Sequence, residues 1–215
     1  ASIYGQFFFF LFNFKQLMSK KKWWGNKYGI QAGIKYIDII PNLDAQLEVN
    51  YARPFTYGHN LEGNGTANYT HYNQALAHPL GANFTEVLFI ARYQPVKRLF
   101  MSFKYIYSRF GEDTINHATN TVTNFGGDIF RNNSGLTANN ATGVISEYGH
   151  SDGQGVRASQ HYVNLRVSYM FWHNVFADLD LLIRSKSSTF KPYSNSTTVF
   201  SVGLRMNIAF KEYVF

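Results

Sequence analysis

The 215-residue sequence contains no cysteine, and only 15% of its residues carry a charge. Without cysteine, a disulfide scaffold, a zinc ribbon and thiol catalysis are excluded. A soluble domain usually has about 25% charged residues, so this chain is poor in charge. Long apolar runs are also missing, since the longest, Phe7–Phe12, falls far short of the roughly 18 residues that a membrane-spanning helix needs. A helical membrane protein is therefore not expected.

Aromatic residues, in contrast, make up 18% of the chain, with 20 Phe and 15 Tyr against 3 Trp. Many rings together with abundant Asn, Gly, Ser and Thr are typical of a transmembrane β-barrel. The net charge of +7 is spread along the chain, apart from Lys20-Lys21-Lys22. Dispersed positive charge suits contact with anionic lipid or sugar better than a groove that follows nucleic-acid phosphates, so no nucleic-acid partner is expected.

Alternation of apolar and polar residues predicts eight strands. In Val199–Phe210 every even-numbered residue is apolar, and most odd-numbered residues are polar or small. A period of two indicates a strand with one apolar face, and this length suits a tilted crossing of a bilayer. The other predicted strands, in which the alternation varies in clarity, are Ile3–Phe14, Tyr28–Tyr36, Leu43–Tyr51, Thr85–Tyr93, Leu99–Tyr107, Val163–Phe171 and Phe176–Arg184.

Short and long connections alternate between these strands. The short ones are Asp38–Asn42, Gln94–Arg98 and Trp172–Asn174, and the long ones are Lys15–Trp24, Gly58–Gly81, Gly111–Ser159 and Lys191–Thr197. This asymmetry is typical of an outer-membrane barrel with periplasmic turns and extracellular loops. The sequence therefore predicts an all-β fold, an antiparallel transmembrane β-barrel that occupies residues 1–215 as one domain, with both ends periplasmic. The rings expected in its interfacial girdles are Trp23, Trp24, Tyr57, Tyr107, Trp172 and Tyr213.

The stretch His71–Glu86, HYNQALAHPLGANFTE, has the composition most like a functional site. Its two histidines are spaced as His-x6-His, which does not bring two ligands to one metal ion on a helix or a strand. A structural or receptor-like loop is expected instead, with no metal and no cofactor. The candidate ligand-contacting residues of this loop are His71, Tyr72, Asn73, Gln74, His78 and Asn83.

Catalysis is not expected, because no Ser lies in a nucleophile elbow and no Gly pair lies between a strand and a helix. A porin-like channel, a small barrel enzyme that acts on lipid and a soluble lipocalin-like barrel remain open as alternatives. The predicted polar strand faces carry charges of both signs, such as Asp178, Asp180 and Arg205. In a narrow lumen these charges must pair, because an unpaired buried charge is costly.

The first long loop carries a second candidate surface, formed by Lys20, Lys21, Lys22, Trp23 and Trp24. Cations beside indoles at a membrane interface suit contact with lipid phosphates or with an acidic polysaccharide. A solvated basic loop explains the same residues equally well.

Three stretches together resemble the C-terminal half of outer-membrane β-barrels of the gliding-motility RemB and Wzi-like capsule-assembly type. They are WWGNKYGIQAGIKY (Trp23–Tyr36), NYTHYNQALAHPLGANFTE (Asn68–Glu86) and VFSVGLRMNIAF (Val199–Phe210). The resemblance implies that the chain is the final part of a larger barrel, and that Ala1 is not its natural start. It also implies a non-enzymatic cell-surface component of gliding motility, or of capsule and polysaccharide assembly and attachment. Its expected partners are outer-membrane lipid and lipopolysaccharide, polysaccharide, and other motility or secretion proteins.

Overall fold

One antiparallel sheet dominates the fold. A computed structural model describes residues 1–58, 68–72, 74–116, 121–130 and 146–207, which form an all-β protein with a sheet of eight strands. No helix within these residues has the length and the apolar character needed to span a membrane. In chain order the elements are β1 (Ser2–Leu11), α1 (Phe14–Met18), β2 (Lys27–Tyr36), β3 (Leu43–Ala52), β4 (Thr70–His71), β5 (Gln74–Ala75), β6 (Phe84–Val96), β7 (Leu99–Glu112), β8 (Thr114–Asn116), β9 (Thr121–Thr123), β10 (Val156–Trp172), β11 (Val175–Ser188), a 3-10 turn (Lys191–Tyr193) and β12 (Asn195–Met206).

The large sheet is a meander. Its strands lie side by side in the order β1-β2-β3-β6-β7-β10-β11-β12, while β4–β5 and β8–β9 form small hairpins in two of the connections. In the described part of the chain β1 and β12 do not pair with each other, so the sheet is open. The predicted antiparallel all-β class is confirmed, whereas closure into a barrel stays a prediction.

Every predicted strand is present, but several boundaries differ. β1 ends at Leu11 instead of Phe14 because the Asn13 side chain accepts a hydrogen bond from the Gln16 amide and caps α1. The predicted Gln94–Arg98 turn shrinks to Lys97-Arg98, since β6 continues to Val96. β7, β10 and β11 extend past their predicted ends. β12 ends at Met206, and residues 208–210 lie outside the described residues.

The two kinds of connection lie at opposite ends of the sheet. The tight turns 37–42, 97–98 and 173–174 are at one end, where Asn42 and Asn174 adopt left-handed backbone angles of φ 63° and 59°. The connections 12–26, 53–83, 113–155 and 189–194 are at the other, which we call the loop end. Ser2 pairs with Lys35 and Met206 pairs with Val175, so β1 begins and β12 ends at the turn end.

The sheet has one apolar and one polar face. Directly opposed residues share a face in an antiparallel sheet, so Ile34, Leu47 and Phe89 form one row of the apolar face. Gln31, Asn50, Glu86 and Ser108 form a row of the polar face. Asn50, Glu86 and Ser108 are buried, whereas Leu47 and many other residues of the apolar face are exposed. This sheet is therefore polar where it is covered and apolar where it is exposed, the reverse of a water-soluble protein.

Aromatic side chains border the apolar face at both ends. The border at the loop end contains Tyr28, Tyr51 and Tyr107, and the border at the turn end contains Tyr36, Tyr93 and Tyr169. We call these borders the loop-end row and the turn-end row, although their tyrosines are not directly opposed to one another. Tyr28 and Tyr36 are separated by ~27 Å along the strand at 3.4 Å per residue. We call the part of the apolar face between these rows the apolar band. In the strands as described, no Lys, Arg, Asp or Glu lies within it.

Some residues predicted for the girdles lie elsewhere. Tyr107 and Trp172 border the apolar face as predicted, at opposite ends. Tyr57 is instead buried among the connections at the loop end, because its ring packs against Phe8 of the polar face. Trp24 also turns inward, and Tyr213 lies outside the described residues.

Several charged side chains on the polar face form ion pairs with another strand, two pairs between neighbouring strands and one between β11 and β7. Arg166 Nε lies 2.7 Å from Asp180 Oδ2, and Arg205 Nε lies 2.9 Å from Asp178 Oδ2. Lys186 pairs with Glu112.

Candidate functional site

The long connections fold into a cap over the loop end of the polar face. The cap consists of the described residues of 12–26, 53–83 and 113–155, and its apolar core contains Tyr57, Ala82 and Ile129. Phe84 at the start of β6 belongs to the same core, and Phe8 of β1 packs against it. The main buried core of the described residues therefore lies at the junction of cap and sheet, and it gives the surface loops a rigid base.

Asn83 joins the end of β7 to two stretches of the connection 113–155. Its Nδ2 donates to the carbonyl oxygens of Gly111 (3.3 Å), Phe125 (3.4 Å) and Gln154 (2.9 Å), and its Oδ1 accepts from the Gly153 amide (2.8 Å). The side chain is fully buried, and the backbone has a left-handed φ of 59°. The sequence placed Asn83 on a ligand-binding surface, which is wrong because its amide is used to hold the cap together.

A buried lysine lies at the base of the cap. Lys27 is 2% exposed, its Nζ donates to the Gly58 carbonyl at 2.6 Å, and the Trp24 ring lies 4.8 Å from Nζ. Burial lowers the pKa of Lys27 from 10.5 to about 8, because the charged amine loses its hydration. Lys27 is the first residue of β2 and precedes Tyr28 of the loop-end row, so it lies where the strand meets the cap and outside the apolar band.

His78 is an internal anchor. Its Nε2 lies 3.1 Å from Glu86 Oε1, and its ring stacks on Phe84 with centroids 4.3 Å apart. Glu86 also accepts hydrogen bonds from Asn50 (3.2 Å) and Ser108 (3.2 Å). The network ties the loop before β6 to three strands of the polar face, and it leaves His78 only partly accessible.

This arrangement does not resemble a hydrolytic triad. In a Ser-His-acid site the serine hydroxyl bonds to the histidine, which takes its proton. Here the Ser108 hydroxyl and the His78 ring both contact the Glu86 carboxylate, so the histidine has no position from which to activate the serine. Within the described ranges, no three His, Asp or Glu side chains gather closely enough to hold a metal ion.

The hairpin β4–β5 is the exposed part of the predicted loop. His71 pairs with Gln74 across it, and both are exposed. Tyr72 at its tip is 88% exposed, and its ring meets the His71 ring edge to face at 4.2 Å. Asn73, predicted for the same surface, lies outside the described residues. The predicted loop thus divides into an exposed tip and two anchors, the partly buried His78 and the buried Asn83.

The predicted basic rim also divides into two parts. Lys20, Lys21 and Lys22 are exposed, whereas Trp23 and Trp24 are partly buried. Trp24 packs edge to face on Phe55 and so contributes to the cap instead of to a membrane-facing rim.

Three cavities lie beside the residues described above or at the turn end of the polar face. One of about 210 Å³ lies between the polar face and the cap, with Gln31, Asn50 and His78 in its walls. A larger one of about 460 Å³ lies at the turn end of the polar face beside Arg92 and Arg166. The third borders Lys20 and Lys22.

Sequence reasoning did not single out Lys27, Arg53 or Glu48. A lone lysine or arginine in a connection carries no local pattern that separates a buried cation from an exposed one. The alternation in Leu43–Tyr51 predicts that Glu48 lies on the polar face, but its hydrogen bonds to Tyr4 and Asn50 depend on strand register.

Comparisons with protein-family models, with curated proteins and with solved structures found no match to this chain. The resemblance to RemB and Wzi-like barrels therefore stays a prediction from the three sequence stretches.

Proposed function

We propose that this chain is part of a transmembrane β-barrel in a bacterial outer membrane, with the cap on the extracellular side. The observation that carries the proposal is the reversed sheet, whose exposed face is apolar and bordered by tyrosines while its polar face lies under the cap. In lipid, an exposed apolar face needs no protein cover, and tyrosines at both borders suit the two membrane interfaces.

Within that membrane the chain acts as a non-enzymatic surface component of capsule or polysaccharide assembly, or of gliding motility. The three sequence stretches given above favour these processes. The exposed hairpin β4–β5 is the surface that engages polysaccharide, since it combines the nearly fully exposed Tyr72 ring with the exposed Gln74 amide. An aromatic ring covers the apolar face of a sugar, and an amide bonds its hydroxyl groups.

The membrane part of the proposal is tested with two arginine substitutions at adjacent exposed positions of β12. Val202 is 67% exposed on the apolar face, and Ser201 is exposed on the polar face opposite Asp180. Val202→Arg should lower the free energy of unfolding from phospholipid vesicles by about 2–4 kcal/mol, the cost of a lipid-facing arginine near the bilayer centre. Urea titration with detection of the folded form by gel mobility measures the change.

Ser201→Arg is the matched control, and it should cost less than about 1 kcal/mol because its side chain faces water or Asp180. If the two variants are equally stable, the apolar face does not contact lipid. In a soluble protein both exposed positions would tolerate arginine.

The polysaccharide part is tested with Tyr72→Ala in the full chain. Binding to an array of purified bacterial capsular polysaccharides should fall about tenfold or more relative to the unchanged chain, which corresponds to the loss of one stacked ring. Tyr148→Ala, which removes a less exposed ring of the cap that packs near Lys21, should bind as the unchanged chain does. Equal binding by all three proteins would refute a role for the hairpin tip.

A further inference from the structure

A cavity of about 300 Å³ lies at the corner where the cap meets the apolar face. Lys20, Lys22 and Arg53 line it from the cap, and Tyr28 and Tyr51 line it from the loop-end row of the apolar face. A molecule in this cavity would therefore contact the cationic side chains of the cap on one side and the tyrosines that border the apolar face on the other.

The backbone that carries the lysines is held in place. The carbonyls of Lys21 and Lys22 accept hydrogen bonds from the amides of Gly149 (2.9 Å) and His150 (3.1 Å), and the Trp24 amide donates to the Glu147 carbonyl at 3.0 Å. The three lysines do not share one direction. Lys20 and Lys22 line the cavity, while Lys21 extends over the Tyr148 ring, with Nζ 5.7 Å from the ring centroid.

Arg53 adds a buried positive charge to the cavity wall. It is 7% exposed, its Nη2 donates to the His150 carbonyl at 3.3 Å, and its guanidinium lies 5.6 Å from the centroid of the Tyr28 ring. No carboxylate among the described residues forms an ion pair with it. A buried cation without a counter-ion is costly, so an anion in the cavity would be stabilised.

The cavity wall has a positive balance. Against Lys20, Lys22 and Arg53 it contains a single acidic side chain, Asp152, among the described residues that line it. The Asp152 carboxylate already accepts a hydrogen bond of 2.6 Å from the Tyr51 hydroxyl. Three positive charges and one negative charge leave two in excess, which matches a phosphate ester.

We propose that this cavity binds the phosphorylated sugar headgroup of a glycolipid in the outer leaflet, with the acyl chains lying along the apolar face. The inference rests on the proposed membrane position of the sheet. A lipid is favoured over a free anion or a soluble polysaccharide because Tyr28 and Tyr51 lead from the cavity directly to the apolar face. Lysines and an arginine at the level of the headgroups are the side chains expected to hold lipid phosphates.

The test is native mass spectrometry of the full chain in detergent micelles, titrated with diphosphoryl lipid A. Lys20→Gln with Lys22→Gln removes two charges from the cavity wall, whereas Lys15→Gln with Lys21→Gln removes two exposed charges from the same loop outside it. We expect the first pair to weaken lipid binding about tenfold or more and the second pair to change it less than about twofold. Inorganic pyrophosphate in large excess should not displace the lipid.

Equal weakening by both pairs, or an absence of lipid binding by the unchanged chain, would overturn the proposal. Displacement by pyrophosphate would also overturn it, in favour of a free-anion site. This experiment is independent of the arginine substitutions in β12. If Val202→Arg and Ser201→Arg are equally tolerated while lipid A binding still depends on Lys20 and Lys22, the proposed membrane position fails, and with it the outer-leaflet placement of the acyl chains. Only the recognition of the phosphorylated headgroup by the cavity then remains.

Discussion

Asn83 shows how much of the cap depends on single residues. It stands directly before β6, it adopts a left-handed backbone that asparagine tolerates better than most residues, and its amide contacts segments far away in sequence. Because a primary amide has both donors and an acceptor, one side chain satisfies backbone groups of opposite polarity. Neither aspartate nor alanine supplies both.

We expect Asn83→Ala to lower the free energy of cap opening by about 3 kcal/mol. This value combines roughly 1 kcal/mol for the left-handed backbone with the loss of the two short buried hydrogen bonds, to the Gln154 carbonyl and from the Gly153 amide, at about 1 kcal/mol each. Hydrogen exchange should become faster in residues 149–154, where the amide contacts Gly153 and Gln154, and should stay slow in β3.

Asn83→Gly separates the two contributions. It relieves the backbone strain but loses the same hydrogen bonds, so its effect should be about 1 kcal/mol smaller than that of alanine. Unchanged exchange of residues 149–154 in both variants would show that the cap does not depend on this side chain.

At the scale of elements, β7, β10 and β11 are longer than a membrane crossing requires. β10 runs from Val156 to Trp172, although only its part from His161 to Tyr169 faces the apolar band. The additional residues lie at the loop end and carry polar side chains such as Arg109, Ser159 and Ser187 on the side that continues the apolar face. The extensions therefore lift part of the cap above the membrane in the proposed arrangement.

The absence of cysteine allows this arrangement to be mapped with single cysteines. Ser187 and Leu179 are both exposed on the same side of β11, but only Leu179 lies within the apolar band. We expect a membrane-impermeant maleimide to label Ser187→Cys in intact cells and to leave Leu179→Cys unlabelled, because lipid covers the second position. After unfolding in urea both should react. Equal labelling in intact cells would place the band in water.

The strands could be predicted from sequence, while the cap could not. Alternation in Val199–Phe210 and Tyr28–Tyr36 arises because every second side chain of a strand faces the same way. It can therefore be recognised without knowing which strands lie on either side. The position of Asn83 or Lys27 depends on contacts with segments tens of residues away. The two histidines of the predicted loop illustrate the limit: His71 is exposed and His78 is bound to Glu86, yet their local sequences give no reason for the difference.

At the scale of the whole molecule, several charged groups of the polar face are paired with one another. Arg166 with Asp180 and Arg205 with Asp178 neutralise one another near the turn end, and the cap lies over the loop end. Paired charges and a covering of folded connections do not favour a wide water-filled path. The arrangement instead suits a sheet that anchors the cap and its exposed hairpin β4–β5.

We expect the full chain to produce no stepwise conductance in planar lipid bilayers. The described residues of the cap cover the loop end of the polar face with hydrogen bonds and a packed core, which disfavours a continuous aqueous path there in the proposed arrangement. A general porin inserted into the same bilayer serves as the positive control. Stable unitary currents that appear only with this chain would support the porin-like alternative and would contradict the reading of the cap as a cover.

The meander order of the sheet has a consequence for how the protein forms. Each long strand pairs with the long strands before and after it in the chain, and the largest excursions are the connections 53–83 and 113–155. The entropy of closing a loop grows only slowly with its length, so these excursions add little to the cost of each pairing. The sheet can therefore form by the addition of one strand at a time, because each new strand forms its hydrogen bonds with the long strand that precedes it in the chain.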